Sequence, residues 1–280
     1  SYSVTVTDGN GCIGTSAPVA VTVTATPTGV TANASDLIVC AGDAVDLTSN
    51  ANALPATTIL SQNFNGVGTP AGWSTVNNST GGTPANAAWT LRTSPYVYSA
   101  VTYSSNDASQ FFMTNSDAQG SGGVTATQLI GPAMDLSGVT SASLSFWHYY
   151  RDIADTGDSA VVEVSTNGGA SWSIAQAYTT TQGSASGFVN ATVGLNAYAG
   201  QASVTLRFRY RATFDWYWSI DNVSVTGTPL PAFSWSSTPS GFTSNSQNPT
   251  GVVVNGNTTY MVTASNGNCS ANASVNIILD

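Results

Sequence analysis

Five side chains near the end of the central segment have the chemistry of a ligand site. They are three arginines that alternate along one predicted strand and two aromatics in the loop after it: Arg207, Arg209, Arg211, Trp216 and Tyr217. Sugar rings stack on exposed aromatic rings, and a guanidinium binds a carboxylate through paired hydrogen bonds. This set therefore predicts carbohydrate binding, with an acidic sugar suited to the arginine row. The alternative for the arginines is salt bridges to neighbouring aspartates.

No catalytic site is expected. His148, the one histidine, alternates with Leu144 and Phe146 and is predicted to lie in the core. It is not accompanied by the Gly-x-Ser-x-Gly sequence that supports a serine nucleophile in one class of hydrolases. Glu163, the one glutamate, lies mid-strand and is predicted to face solvent. A glycosidase needs two facing carboxylates, so we predict no enzymatic activity.

A cluster of aspartates, Asp152, Asp155 and Asp158, lies in a loop between two predicted strands. Carboxylates at this spacing could bind calcium or the hydroxyls of a glycan. Loops rich in aspartate are also common as solvated turns, and this is the preferred interpretation of the cluster.

The composition limits the partners that the chain can have. It has 280 residues, of which 7% are charged, and its net charge is −9. Nucleic acids and anionic membranes attract clustered positive charge, so neither is an expected partner. No apolar run approaches the roughly 20 residues that span a bilayer, so membrane insertion is not expected either.

Short strands separated by turn signals predict an all-β fold. Helix formers such as Glu and Lys are almost absent, and no segment has convincing helical periodicity. The clearest strands of the central segment are residues 59–64, 110–115, 143–151, 160–165, 172–178, 203–211 and 220–225. Their alternation of apolar and polar residues is typical of antiparallel sandwiches.

An internal repeat links the two ends of the chain. Residues 2–12 and 260–269 each consist of an alternating strand, a Gly/Asn turn and a cysteine, Cys12 or Cys269. Each continues into a second alternating strand, at 19–24 and 273–279. The two segments are therefore predicted to be copies of one β-hairpin.

The outer segments resemble the immunoglobulin-like (PKD-like) repeats in large surface proteins of gliding bacteria that use type IX secretion. Residues 40–48 match the cysteine-Gly-Asp-Val-Leu-Thr pattern with which those repeats open. Residues 233–236 match the middle strand, and 248–250 match the turn before the closing hairpin. The resemblance implies that the two halves form one domain although a long segment separates them.

The intervening segment resembles cleaved-adhesin and MAM-like jelly rolls, including the haemagglutinin-adhesin modules of secreted bacterial cysteine proteases. The matching motifs, in the order of the family, are Asn-Phe-Asn at 63–65, Pro-Ala-Gly-Trp at 70–73, Leu-Ile-Gly-Pro at 129–132, Asp-Leu-Ser at 135–137, Leu-Ser-Phe at 144–146, Val-Glu-Val-Ser at 162–165, Asn-Gly-Gly-Ala-Ser-Trp at 167–172 and Trp-Ser-Ile-Asp-Asn-Val at 218–223. Together they span most of residues 57–228.

These resemblances predict three parts. Residues 1–26 are the terminal hairpin of a preceding immunoglobulin-like repeat, 35–56 and 229–280 form a split immunoglobulin-like sandwich, and 57–228 form an inserted jelly roll. Prolines at 55 and 229–231 mark the two junctions. Insertion is tolerated where the ends of the inserted domain lie close together.

The resemblance to jelly rolls implies a calcium ion that ties the first strand to the last. Asp221 stands at an acidic position of the family, Asn65 at its acidic or amide position on the first strand, and Asp107 adds a carboxylate before another strand. Gln62 replaces a common glutamate, which removes one charge. Calcium takes six to eight oxygens. The alternative is that these side chains form turns through backbone hydrogen bonds.

The resemblance to immunoglobulin-like repeats implies a disulfide between Cys40 and Cys269, since the cell surface is oxidising. Cys12 would then pair with a cysteine upstream of residue 1. A two-stranded hairpin alone is marginally stable. We therefore expect residues 1–26 to be completed by a neighbouring chain or by an upstream segment.

The function predicted from these features is that of an extracellular, non-catalytic adhesin segment of a bacterial cell surface. Its expected partners are a glycan or surface polymer and the neighbouring immunoglobulin-like repeats of the same protein. Two alternatives stay open: a structural repeat of an extracellular stalk with no ligand of its own, and an accessory binding domain of a secreted hydrolase.

Overall fold

The structure, a computed structural model, describes residues 3–17, 25–153 and 157–280. The predicted all-β fold is confirmed. The strands are β1 (Thr5–Thr7), β2 (Ile13–Thr15), β3 (Thr31–Ala34), β4 (Ile38–Val39), β5 (Ala44–Val45), β6 (Leu47–Asn50), β7 (Thr57–Gln62), β8 (Ser74–Asn77), β9 (Thr90–Arg92), β10 (Tyr96–Tyr98), β11 (Val101–Tyr103), β12 (Phe111–Asn115), β13 (Val124–Met134), β14 (Val139–Arg151), β15 (Ser159–Ser165), β16 (Ser173–Tyr178), β17 (Val189–Gly194), β18 (Val204–Thr213), β19 (Tyr217–Pro229), β20 (Ala232–Thr238), β21 (Thr243–Ser244), β22 (Val252–Val253), β23 (Thr258–Ser265) and β24 (Ser270–Leu279). Helical structure in the described residues is limited to one turn of α-helix, α1 (Ser116–Gln119), and two 3-10 turns, Pro84–Ala87 and Asn196–Tyr198.

The chain divides into two compact units. One consists of Ser1–Pro55 and Pro231–Asp280, and the other is Ala56–Leu230. The junctions fall within two residues of the predicted limits of the insert, 57 and 228. Both lie beside prolines, which end regular strands because they lack the backbone donor that a sheet requires.

The inserted unit is a sandwich of two antiparallel sheets. Its larger sheet has the order β17-β14-β19-β12-β9, with β7 also paired to β19, and its smaller sheet has the order β16-β15-β18-β13-β8. Because successive side chains on a strand point to opposite faces, every second residue enters the space between the sheets. Phe146, Phe208 and Trp218 meet there in edge-to-face contacts, and all three are fully buried.

A second apolar cluster lies on the opposite face of the larger sheet. Phe111 and Met113 belong to it, whereas Phe112 between them points into the main core. The hairpin formed by β10 and β11 contributes Tyr103, whose ring packs edge-to-face on Tyr217 at 5.0 Å between centroids. The outer face of this sheet is therefore covered by aromatic side chains over part of its area.

The other unit, called the outer unit below, contains a sheet of order β21-β20-β23-β24-β4 and the pairs β22-β5 and β3-β6. Its core includes Leu47, Trp235 and Val262, which come from both halves of the split sequence. Strand β4 of the opening segment runs parallel to β24 of the closing segment.

The predicted disulfide between Cys40 and Cys269 is wrong. Val39 pairs in register with Leu279 at one end of β24, whereas Cys269 precedes Ser270 at the other end of that strand. The ten residues of β24 cover about 33 Å, and a disulfide requires Cα atoms within about 7 Å. The thiols of Cys40 and Cys269 therefore belong to opposite ends of the unit.

The N-terminal hairpin of β1 and β2 is tight and exposed. Every described residue from 3 to 17 is exposed, including Val6 and Ile13. The strand predicted at 19–24 lies outside the described residues, so its pairing stays a prediction. None of the helices in the described ranges is long and apolar enough to cross a membrane.

Candidate functional site

The last strand of the inserted unit changes its neighbour part-way along. Ile220 of β19 pairs with β12, whereas Val223 pairs with β7, so Asp221 and Asn222 lie where neither strand pairs with them. On the other side of β19, the register with β14 shifts so that β19 carries one extra residue there. Asn222 has a φ of 49°, as expected of a residue in a β-bulge.

All three residues predicted to bind calcium meet at this gap. Asn65 follows β7, and its Oδ1 accepts a hydrogen bond of 3.1 Å from the backbone N of Gln110, just before β12. Asp107 lies in the loop before Gln110, and its Oδ2 accepts from Nδ2 of Asn222 at 2.9 Å. Asp221 is the neighbour of Asn222 and is fully buried. The fold therefore brings together residues that are far apart in sequence.

The electrostatics of the gap are unusual for two nearby carboxylates. Asp221 Oδ1 accepts from the backbone N of Asn222 at 2.7 Å, and its Oδ2 accepts from Ser109 Oγ at 3.3 Å. Burial raises the pKa of Asp221 to about 7, and the charge of Asp107 adds to the rise. Burial acts in the same direction on Asp107, but hydrogen bonds from Ser109 and Asn222 outweigh it and lower the pKa to about 2.

The atoms at the gap that could ligate a cation are all oxygens. They belong to two carboxylates, to the side-chain amides of Asn65 and Asn106, and to the hydroxyls of Ser105 and Ser109. Such a set suits a hard divalent cation. Within residues 3–17, 25–153 and 157–280, no group of three or more His, Cys, Asp or Glu side chains could hold a metal ion. An ion at the gap would therefore need amide, hydroxyl or backbone oxygens beside the carboxylates.

The predicted exposure of Tyr217 is wrong. Tyr217 is the first residue of β19 rather than a loop residue, and it is fully buried under the β10–β11 hairpin. Its hydroxyl accepts a hydrogen bond of 3.2 Å from Arg151 Nη1. Trp216 is half-buried, and the guanidinium of Arg151 lies 3.7 Å from the centroid of its ring. Only Trp216 of the predicted aromatic pair can reach a ligand.

Sequence reasoning missed Phe214 as a site residue. Its side chain is 45% exposed, and its φ is 54°. Bulky residues rarely adopt left-handed backbone, and where they do the strain is often connected with function. Phe214 lies two residues before Trp216 in the sequence, but no pattern indicated that its side chain is exposed.

Buried aspartates hold the loop that carries Phe214 and Trp216. Asp215 is 2% exposed, and its Oδ1 accepts from the backbone N of Ile153 at 3.1 Å. Asp158 Oδ1 accepts from the backbone N of Thr213 at 2.9 Å. The predicted aspartate cluster is therefore not simply a solvated turn, because Asp158 is 7% exposed. Asp155 of that cluster lies outside the described residues.

The arginine row is already partly occupied by Glu163. Its Oε2 lies 2.6 Å from Arg207 Nε and 3.0 Å from Arg209 Nε. The predicted solvent exposure of Glu163 is wrong, because it is 6% exposed beneath these two guanidiniums, and the two arginines pair with this glutamate rather than with aspartates. Arg207 also stacks over Trp172 at 4.2 Å. Arg211 is exposed and forms no ion pair with any residue that the structure describes.

His148 lies in the core, as predicted. It is 1% exposed, and its Nδ1 accepts a hydrogen bond of 3.2 Å from Trp218 Nε1. Burial lowers the pKa of His148 to about 4, so the ring stays neutral. A histidine that is sealed between Tyr178 and Trp218 has no access to a substrate.

Comparisons with solved structures found domains of similar fold. The first is the K1 cleaved adhesin domain of Lys-gingipain from Porphyromonas gingivalis, with 21% identity and a TM-score of 0.46 over 60% of this chain and 97% of that domain. The K3 domain of the same protein has 18% identity and a TM-score of 0.43 over 61% and 99%. A family 11 carbohydrate-binding module from Clostridium thermocellum, solved with a mixed-linked tetrasaccharide, has 11% identity and a TM-score of 0.34 over 63% and 98%. The chain matches no protein-family model and no curated protein sequence.

Proposed function

We propose that this chain is a non-catalytic segment of an extracellular bacterial adhesin and that its inserted sandwich binds carbohydrate through the loop carrying Phe214 and Trp216. The observation that supports this most is Phe214: a large aromatic side chain, 45% exposed, on backbone with a φ of 54°. Exposing such a ring to water costs free energy, and an exposed aromatic ring is the group on which a sugar stacks.

The surroundings of Phe214 add the polar groups that a sugar needs. Arg151 lies against Trp216 and directs its guanidinium to the same loop. Asp215 anchors the loop to the backbone of Ile153, so that little ordering is required when a ligand binds. A small, pre-formed platform of this kind is suited to one or two sugar units rather than to deep enclosure of a ligand.

We also propose that calcium orders this unit through Asn65, Asp107 and Asp221. The support is the convergence of these residues at the gap in β19 and the burial of the Asp221 carboxylate. A bound cation would supply positive charge between two carboxylates and tie the segment after β7 and the loop before β12 to the middle of β19. The arginine row is a weaker candidate for ligand binding, since Glu163 already neutralises Arg207 and Arg209.

The test is a glycan-array experiment on the purified chain, with calcium and with a chelator. Binding to one glycan class is expected to fall at least about tenfold in Phe214→Ala and in Trp216→Ala. Met261→Ala is the control, because Met261 is similarly exposed but belongs to the other unit. Absence of binding in either condition would favour a structural stalk. Binding that survives both aromatic substitutions would place the site elsewhere.

A further inference from the structure

Cys40 and Cys269 mark the two ends of the outer unit. Cys40 directly follows Val39, whose carbonyl accepts a hydrogen bond of 3.0 Å from the backbone N of Asp280. Cys269 lies at the other end of β24, in the turn before Ser270. This arrangement excludes a bond within the unit but leaves each sulfur at a defined end.

The end that carries Cys269 is the end at which the chain enters the unit. Nδ2 of Asn266, in the same turn, donates a hydrogen bond to the carbonyl of Ala25, six residues before β3 begins at Thr31. The end that carries Cys40 is the end at which β24 finishes at Leu279. Successive units joined along one chain would therefore place the Cys40 of one beside the Cys269 of the next.

Cys12 shows that the turn cysteine recurs. Asp8 Oδ1 accepts from the backbone N of Cys12 at 2.9 Å and from that of Asn10 at 2.9 Å. Asn266 Oδ1 accepts from the backbone N of Cys269 at 2.8 Å and from that of Asn268 at 3.1 Å. The first turn is one residue longer than the second, but in both the cysteine carbonyl accepts the backbone N–H of the Asp or Asn that opens the turn. The turn cysteine is thus a feature of the repeat and not of one copy.

We propose that Cys40 forms a disulfide with the turn cysteine of the next immunoglobulin-like repeat along the chain, so that successive repeats are stapled end to end. Cys269 forms the equivalent disulfide with the cysteine that corresponds to Cys40 in the preceding repeat. Cys12 and Cys40 are exposed and Cys269 is half-buried, so a small disulfide can reach these side chains in the folded protein. The turn Cys40–Asp43 holds the first cysteine in place, since Asp43 Oδ2 accepts from the backbone N of Cys40 at 3.0 Å.

The bond forms by thiol–disulfide exchange with a small disulfide such as oxidised glutathione. The thiolate of one cysteine attacks the small disulfide, which releases one small thiol and leaves a mixed disulfide. The second cysteine thiolate then attacks the protein sulfur of that mixed disulfide and releases the second small thiol. Two protein thiols are oxidised, one small disulfide is reduced to two thiols, and no other reactant is needed.

The experiment uses the full chain followed directly by a second copy of residues 25–280, so that Ala25 of the second copy follows Asp280. The protein is equilibrated with oxidised and reduced glutathione, digested without reduction and mapped by mass spectrometry. The expected product is one disulfide between Cys40 of the first copy and Cys269 of the second, with the loss of two thiols per molecule. Cys40→Ser in the first copy should abolish it, whereas Cys40→Ser in the second copy should leave it intact.

The thermal transition of the tandem protein shows whether it is folded, so that a missing bond can be told apart from misfolding. If its thermal transition matches that of the single chain and the bond is absent, or if Cys40 pairs within its own copy, the proposal is overturned. If the tandem protein does not fold, the single chain is oxidised at high concentration instead. Intermolecular Cys40–Cys269 and Cys40–Cys12 bonds should then exceed Cys40–Cys40 bonds, and the reverse ratio would reject the idea.

Discussion

Asp107 and Asp221 are held by one residue: Asn222 donates its backbone N–H to Asp221 at 2.7 Å and its side-chain Nδ2–H to Asp107 at 2.9 Å. Asp107, in the loop before β12, and Asp221, in the bulged stretch of β19, thus bind the same residue. Their charges repel, and burial makes the ionised form of Asp221 unfavourable. A divalent cation would remove both penalties.

Calcium is therefore expected to stabilise the inserted unit, and the effect is expected to depend on Asp221. The pKa of Asp221 is raised from 3.8 to about 7, so the folded state loses stability as pH rises between these values. The loss amounts to about 4 kcal/mol above pH 7. In a chelator at pH 8, Asp221→Asn should raise the Tm, because it removes the buried charge.

The same substitution should abolish the rise in Tm that millimolar calcium gives the unaltered chain, measured by scanning calorimetry. Asp135→Asn is the matched control, since Asp135 lies on the same unit and is exposed. If calcium raises the Tm of Asp221→Asn as much as that of the unaltered chain, the ion binds at another place.

The all-β fold and the meeting of Asn65, Asp107 and Asp221 could be predicted because they depend on strand order. Motifs at the end of the first strand, before a middle strand and on the last strand converge when first and last strands are neighbours. Alternation within a strand likewise predicted the burial of His148.

Tyr217 and Glu163 could not be predicted, because distant segments decide their exposure. Tyr217 is covered by a hairpin more than a hundred residues earlier in the chain, and Glu163 by guanidiniums of a strand that pairs with its own. A local pattern describes the faces of one strand but not what lies over each face. The cysteine pairing failed for a related reason, since the parallel register of β4 on β24 is not visible in the sequence.

The contribution of His148 to the free energy of unfolding should change with pH in the direction opposite to that of Asp221. Burial lowers the pKa of His148 from 6.5 to about 4, so the unfolded chain binds a proton that the folded chain does not. The stability that depends on neutral His148 is complete above pH 6.5. About 3 kcal/mol of it is lost as pH falls towards 4.

His148→Asn should make the free energy of unfolding less dependent on pH below 6.5, because asparagine does not titrate. Its side-chain oxygen can accept the hydrogen bond from Trp218 Nε1. The measurement is urea unfolding at pH 4.5 and pH 7.5. The substitution should cost less stability at the lower pH than at the higher. An identical loss at both values would mean that the folded state binds the proton as readily as the unfolded state.

Removal of Glu163 should destabilise the smaller sheet. Its carboxylate bridges Arg207 and Arg209 while being 6% exposed, so Glu163→Ala leaves two half-buried guanidiniums close together without their shared anion. We expect a loss of about 2 kcal/mol in the free energy of unfolding, reduced by the partial exposure of the arginines. Arg211→Ala is the control and should change it by less than about 0.5 kcal/mol. Equal losses in Glu163→Ala and Arg211→Ala would indicate that the ion pairs of Glu163 make no net contribution to stability.

Asp215 allows the aromatic loop to be loosened without removing an aromatic ring. Its Oδ1 accepts from the backbone N of Ile153, and Oδ2 lies 3.5 Å from the Tyr210 hydroxyl, which donates to it. Asp215→Ala should therefore speed amide exchange at Ile153 and weaken glycan binding, while Phe214 and Trp216 remain in place. Two buried hydrogen bonds are lost, and a cost of about 1–3 kcal/mol for each sets the upper size of both changes.

The control for Asp215→Ala is Asp117→Ala. Asp117 Oδ2 accepts from the Tyr98 hydroxyl at 2.7 Å, and the bond of Asp117 to the loop, from its backbone N to the carbonyl of Trp216 at 3.3 Å, is kept in the alanine variant. Exchange at Ile153 should stay unchanged in that variant. If Asp215→Ala speeds exchange but leaves glycan affinity intact, binding does not require the loop to be pre-ordered, and the aromatic rings themselves carry the interaction. If neither quantity changes, the hydrogen bond to Ile153 does not hold the loop.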